Sequence, residues 1–302
     1  MKQLYLIILL FFSSICSAQN YDELVLHYAP IHFQNVCKKE KNSLQGKNDQ
    51  LAAFNFDGDW DATNNWENLE THEIKPVVYY AVVESRSHYF ITYAYFHPRD
   101  WTRTPFTKIG QHENDLEGAI CFVEKNDNKF GSITAVVTVF HNQLIVYTDV
   151  RKKSKKKHRL KQRFYPLETA QEAKGHGCKL HEDLKSNNDY ISYYPNSYES
   201  VSNKSDFKND STLITYELIN LFAPNELWSQ HTNSLFFEND QTIKGNNGKG
   251  ANPPWIWQSN KWKNILPAGA VAKYPSAVLH YIKNQDVIMD SNYLYNPYLG
   301  IK

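Results

Sequence analysis

The chain has 302 residues, with 33 Lys and Arg against 32 Asp and Glu, for a formal net charge of +1. That balance gives no global field to attract a polyanion, so no nucleic-acid partner is expected. Aromatic residues make up 14% of the chain, led by 20 tyrosines, a composition that suits half-buried pleated surfaces and points to strands.

Met1-Lys2, the apolar stretch Leu4 to Phe12 and the small-residue exit Ser13 to Ala18 read as a secretory signal peptide over residues 1–18, with Cys16 and Ala18 at the −3 and −1 positions. The apolar stretch falls well short of the roughly 20 residues that span a bilayer. Lipidation at Cys16 would want a small residue before it, and Ile15 stands there. The expectation is an exported, monomeric protein, extracellular or periplasmic, with one domain over 19–302. Three cysteines remain after cleavage, Cys37, Cys121 and Cys178, which permit at most one internal disulfide. Which pair forms is not legible; Cys121 lies in an apolar run and reads as a buried small hydrophobe, and Cys37–Cys178 is favoured.

Asp22 to Gln34 (DELVLHYAPIHFQ) predicts a first strand, at a sheet edge because Pro30 cannot donate to a ladder. Leu51 to Leu69 has little period and reads as loop. Asp57, Asp59 and Asp61 alternate there as calcium-loop carboxylates do, but Ala62 and Asn68 replace the required Gly and Glu, which favours a surface turn. Val77 to Val83, a turn at Ser85-Arg86-Ser87, and Tyr89 to Phe96 predict a β-hairpin. Ala119 to Val123, Ile133 to Phe140 and Leu144 to Val150 follow, with turns at Asn126-Asp127-Asn128 and His141-Asn142. Five strands with short connections predict a mainly β fold: an antiparallel β-sandwich with a few peripheral helices and long loops.

Arg151 to Arg163 holds nine Lys or Arg in thirteen residues. Such a run is ordinarily a solvated, self-repelling loop, yet on an otherwise net-acidic chain it is also a protrusion able to touch an anionic membrane surface. Phe164 to Glu172 predicts a strand. Gly175-His176-Gly177 then sets a histidine between residues that allow close backbone approach. Ser186 to Asp210 is polar and turn-rich. Leu213 to Phe222 predicts the one convincing helix, capped by Ser211 or Thr212, apolar at 214, 218, 221 and 222, and stopped by Pro224. Asn239 to Asn252 reads as a Gly/Asn-rich loop. Pro253 to Trp257 opens a C-terminal extension whose two tryptophans read first as core and second as a sugar platform.

The densest chemistry is Gln111 to Glu117 (QHENDLE), one imidazole and three carboxylates. If Asp115 to Val123 is extended, Asp115 and Glu117 project to one side. Two carboxylates facing one way want a cation, and with His112 close by a divalent metal answers that need; an isolated match of this kind is usually only a solvated turn. The chain offers no GxSxG, no Gly-rich phosphate loop, no HExxH and no paired CxxC.

Together, YAYFHPRD, a loop and QHENDLEGAICFVE resemble the signature region of the necrosis- and ethylene-inducing peptide-like proteins, whose members carry an aromatic-rich strand ending in Pro-Lys-Asp, then Gly-His-Arg-His-Asp-Trp-Glu, then an apolar strand. The resemblance runs from about residue 28 to about residue 145. It implies that Asp100, His112, Asp115 and Glu117 hold a divalent cation, and that His141, in the turn after the next strand, stands near it. It further implies a β-sandwich that is secreted, binds glycosylated sphingolipid head groups and damages membranes as a cytolysin. Gln111, Glu113, Asn114 and Leu116 depart from the family's Gly, Arg, His and Trp. The Gly-His-Gly turn and the Pro-Trp segment are similar, more loosely, to relatives of vacuolar-sorting type.

Two functions follow. In the first, a metal-containing binding protein recognises a glycolipid head group or glycan through open coordination positions, with His141, His176 and Asn114 near the ion. In the second, a metal-dependent hydrolase acts on a glycan or phosphoester, with His141 or His176 as general base. The oxygen-rich ligand set suits Mg, Ca or Mn in either case. An inert adhesion module, the third possibility, would leave no open position.

Overall fold

Val77 to Val83 and Tyr89 to Phe96 are apolar at almost every position, which a strand sustains only where both of its faces are covered. In the computed structural model of the chain both faces are covered. Described are residues 21–37, 44–101, 110–148, 166–184, 189–196, 213–239, 241–246, 250–283 and 292–302; the signal segment 1–18 and the basic run Arg151 to Arg163 lie outside them.

Helix α1 (Tyr21–Tyr28) leads into strand β1 (Ile31–Asn35), and a short helix α2 (Asn65–Asn68) precedes the meander. The meander is β2 (Val77–Ser85), β3 (His88–Asp100), β4 (His112–Glu124), β5 (Ser132–Phe140) and β6 (Gln143–Thr148), each antiparallel to the next. It is the meander expected from the apolar runs and their turns. Strands β7 (Glu168–Gln171), β8 (Cys178–Leu180), β9 (Tyr190–Pro195) and β10 (Leu213–Asn220) follow, then the small hairpin β11 (Phe237–Glu238) and β12 (Thr242–Ile243). Helices α3 (Ala270–Lys273) and α4 (Pro275–Lys283) and strand β13 (Tyr293–Tyr295) close the chain.

The fold is mainly β, but the strands make one eleven-stranded sheet, ordered β6-β5-β4-β3-β2-β10-β9-β1-β7-β8 with β13 beside β2, rather than two separate layers. The sheet curls until β8 packs against β4 and β5, so that it is nearly a barrel. Its inner face buries Tyr93, Tyr95, Cys121, Tyr147, Tyr193 and Tyr216 with Leu24 and Val25 of α1. Its outer face buries Tyr79, Phe96, Phe122 and Val137 under Trp255, Trp257, Val271 and Leu279 of the C-terminal segment.

Further expectations are corrected. Asp22 to Gln34 is not one edge strand: its first part is α1, with Leu24, Val25 and Tyr28 buried on one helical side, and β1 is interior, paired with both β7 and β9. Leu213 to Phe222 is not a helix but β10, parallel to both β2 and β9. The apolar spacing at 214, 218 and 221 fits a helix, yet Ile214, Tyr216 and Leu218 turn to the inner core at a period of two while Thr215 and Glu217 are exposed. The polar stretch after Ser186 conceals the buried strand β9. None of Cys37, Cys121 and Cys178 is joined in a disulfide, so the favoured Cys37–Cys178 bridge is not formed. The Asp57 to Asp61 run is a chain of Asx turns, in which each of the next alternate backbone N–H groups donates to the carboxylate two residues before it.

Gly118 is where the outer layer closes on the sheet. A Cβ there would stand 2.0 Å from the Tyr93 carbonyl oxygen and 3.0 Å from the Trp257 ring. Gly118→Ala should therefore destabilise the fold by about 1–3 kcal/mol or more through overpacking. Urea denaturation of both proteins checks this, and an unchanged midpoint would show that Trp257 packs more loosely.

Candidate functional site

Strict alternation would place His112 and Asp115, three residues apart, on opposite faces of β4. The backbone prevents that at Asn114, which takes a left-handed φ of 61°, a conformation that Asn tolerates better than most residues. Glu113 and Asn114 consequently both face outward. Glu113 accepts backbone N–H bonds from Trp66 and Asn246, each at 2.7 Å. The Asn114 amide donates to the Ala62 and Lys244 carbonyls and accepts from Asn65, also at 2.7 Å. Asn114 is thus a buried structural residue rather than a ligand. Glu113 and Asn114, together with Leu116 in the outer core, thus serve the fold.

His112 thereby shares a cavity with Asp115 and Glu117. The β3–β4 register sets Asp100 opposite His112 and His97 opposite Asp115. Asp100, His112, Asp115, Glu117 and His141 all line one space of about 450 Å³, within the range of small-molecule sites. Its far wall belongs to the C-terminal segment, from Gln241 to Ala268.

Each charged group has a partner. His112 Nε2 lies 3.2 Å from Asp100 Oδ2; burial lowers the imidazole pKa, but that bond and the charges of Asp100 and Asp115 outweigh it and hold it up at about 9. Both Glu117 oxygens accept from backbone N–H groups, of His141 at 2.7 Å and of Cys178 at 3.0 Å. Burial, and after it the Asp115 charge, still push the Glu117 carboxyl well above the usual range. His141 Nε2 is 2.7 Å from Glu172 Oε1, and Nδ1 is 3.7 Å from Glu117 Oε1; the Glu172 hydrogen bond raises its pKa against the effect of burial.

His176 is fully buried and reaches the site only through Asp115. Its Nδ1 lies 3.1 Å from Asp115 Oδ2. Its Nε2 is 3.3 Å from Asp49 Oδ1, close enough for ionic attraction but not aligned for a hydrogen bond. Burial opposes its charge, yet the two carboxylates hold its pKa up at about 9. The ring stacks on His97 at 3.7 Å, which burial and the neighbouring His176 keep neutral. Asp49 also accepts from Trp101 Nε1, Lys174 N and Cys37 N. A lone Asp in an irregular segment carries no pattern, so nothing in the sequence singles out Asp49 or Glu172.

The flanking glycines of the Gly-His-Gly turn serve close approach. A Cβ on Gly175 would sit 2.9 Å from His141 Cε1, and one on Gly177 2.7 Å from the Phe140 ring. The second reading of the C-terminal tryptophans is not met: Trp255 and Trp257 are 4% and 2% exposed, and both belong to the outer core.

The donor set on the cavity wall, three carboxylates and an imidazole, has the chemistry that suits a hard divalent cation. As they stand the donors are turned to protein partners, and among the described residues no three His, Cys, Asp or Glu side chains converge as a metal cage. The Cys178 thiol behind Glu117 is pushed up by burial and by the Glu117 charge, so it offers no thiolate.

The left-handed Asn114 can be tested directly. Asn114→Ala should lose about 3 kcal/mol or more, from orphaned buried carbonyls and from the left-handed backbone. Asn114→Gly should recover about 1 kcal/mol of that, the backbone share. Chemical denaturation of both variants measures the split, and equal losses would locate the whole effect in the side-chain bonds.

No protein-family model matches the sequence, and no curated protein matches it. Similar solved structures do exist. One, described as a toxin fold for microbial attack and plant defense, is 14% identical, with 84% of this chain and 90% of that one covered at a TM-score of 0.39. Another, NLPPya in complex with mannosamine, is 14% identical over 82% and 89%, with a TM-score of 0.37. A third, Necrosis and Ethylene inducing Protein 2 from the causal agent of cocoa's Witches Broom disease, is 18% identical over 35% and 45%, with a TM-score of 0.25. These overlaps are loose, and the functional reading rests on the chain's own residues.

Proposed function

We propose that this chain is a secreted, necrosis-inducing-type protein that holds one divalent cation (Mg, Ca or Mn) and recognises a glycosylated lipid head group or glycan. One observation carries the reading: Asp100, His112, Asp115 and Glu117, which sequence resemblance names as a ligand set, line a single cavity together with His141. Burial and the Asp115 charge raise the cost of ionising Glu117 there, and a divalent ion would relieve it. When bound, the ion would supply open coordination positions for hydroxyl oxygens. The chain's part is to orient the donors: His141 N and Cys178 N fix Glu117, and His176 fixes Asp115. Membrane damage, and contact of Arg151 to Arg163 with anionic lipid, belong to the same proposal.

The hydrolase reading finds less support. A general base needs a free lone pair near the substrate. Both ring nitrogens of His141 face carboxylates, and His176 is sealed in the interior.

Calorimetry of the mature protein should show one divalent ion bound per chain. The ion should stabilise the fold by RT ln(1 + [L]/Kd), about 2.7 kcal/mol at a hundred times Kd. Asp115→Asn should stay folded by circular dichroism and lose that stabilisation. No divalent binding to the wild type, or equal binding to the variant, sinks the metal. Protein recovered from the medium should begin at Gln19 on N-terminal sequencing; a lipid-modified Cys16 or cytoplasmic retention would contradict export.

A further inference from the structure

The second wall of the cavity comes from residues that read as loop and extension in the sequence. Gln241, Asn252, Gln258 and Asn260 line it together with Asn142 of the β5–β6 turn. All five are exposed, and among the described residues none of their carboxamides has a hydrogen-bond partner. An exposed amide is ordinarily a solvated one. Five on a single concave wall, facing carboxylates and imidazoles, make a different arrangement: each offers two donors and an acceptor, and a sugar hydroxyl both donates and accepts.

The wall is held in place. Trp257 Nε1 donates to the Leu116 carbonyl of β4 at 3.1 Å and to the Asn252 carbonyl at 2.7 Å. Gly269 N donates to Trp257 O at 3.1 Å, and Asn260 N to Asn142 O at 3.3 Å, which ties the extension to the β5–β6 turn. The lining gives an aromatic or acidic ligand little to bind. Trp257 is enclosed and offers no stacking face. No Lys or Arg is among the described lining residues, and His112 and His141 already face Asp100 and Glu172.

We propose that this amide wall determines specificity, selecting a neutral, hydroxyl-rich ring of monosaccharide size over phosphorylated or acidic sugars. The proposal rests on the reading of the cavity as a glycan site.

The test titrates the full mature chain, by ligand-observed NMR, with methyl glycosides of glucose, galactose and mannose, and with glucose 6-phosphate and glucuronic acid. Each is run in calcium chloride and in EDTA. At least one neutral glycoside should bind about ten-fold or more tighter than either charged sugar, the size of effect that one or two hydrogen bonds supply. Gln258→Leu and Asn260→Leu, with melting temperatures unchanged, should each weaken it by about five-fold or more. Tighter binding of the charged sugars, or variants that bind the neutral glycoside as well as the wild type does, overturns the proposal. Neutral binding that persists in EDTA but falls in the variants supports the amide wall and removes the metal from the proposed function. Failure of every sugar to bind overturns the amide wall and the glycan reading together.

Discussion

Asp115 and Glu117 stand two residues apart on the inward side of one strand, and holding both carboxylates there is the constraint that the surrounding structure answers. Two such charges repel by about 1 kcal/mol at 4 Å even in water, and by more once desolvated. Glu117 is met by N–H groups from two separate segments, the turn at His141 and Cys178 at the start of β8. Asp115 is met by a buried His176 that is itself flanked by Asp49. The backbone takes left-handed φ values at His141 (53°) and at His176 (49°), which precedes β8. Backbone strain of that kind persists only where the surroundings over-determine it, and it gathers at functional sites.

The same demand reaches into the interior. Behind His176 the inner face of the sheet continues as a polar chain. His97 Nε2 bonds Gln171, and Gln171 bonds the His176 carbonyl. His32 and Tyr95 both meet Thr169, with their rings stacked 4.1 Å apart. His32 and His97 stay neutral because burial penalises the imidazolium and no carboxylate bonds them. His176 is charged because two carboxylates flank it. Equal burial with opposite ionisation follows from the partner alone. A satisfied network of this sort places the site on rigid strands rather than on mobile loops.

On the other side of β4, the outward turn of Glu113 and Asn114 binds the site strand to the segment around α2 and to residues 244–246. One heptapeptide thus has two duties: His112, Asp115 and Glu117 line the cavity, while Glu113, Asn114 and Leu116 secure the strand. Trp257 adds a third anchor at the Leu116 carbonyl. The extension therefore belongs to the core of the domain, and it supplies the cavity's far wall.

The meander from Val77 to Thr148 was legible because apolar runs and short turns are local properties, and hairpin neighbours pair with what lies next in the chain. So was the gathering of Asp115 and Glu117 on one side, since a period of two needs no knowledge of the partner strand. The class, mainly β, followed from both. Only the tertiary structure decided the rest. The segment after Thr212 has a spacing that fits helix or strand equally, and two waiting parallel neighbours, β2 and β9, made it a strand. The tyrosine-rich stretch within the polar region after Ser186 became central because β1 and β10 flank it. Whether β4 and β8 belong to a sandwich or to one curled sheet depends on closure between strands far apart in sequence. His112 joined Asp115 only through a single left-handed Asn, and Asp49, Glu172 and the carboxamide wall joined the site from segments with no pattern of their own. Local periodicity is written in neighbouring residues; convergence of distant ones is settled by the packing that brings them together.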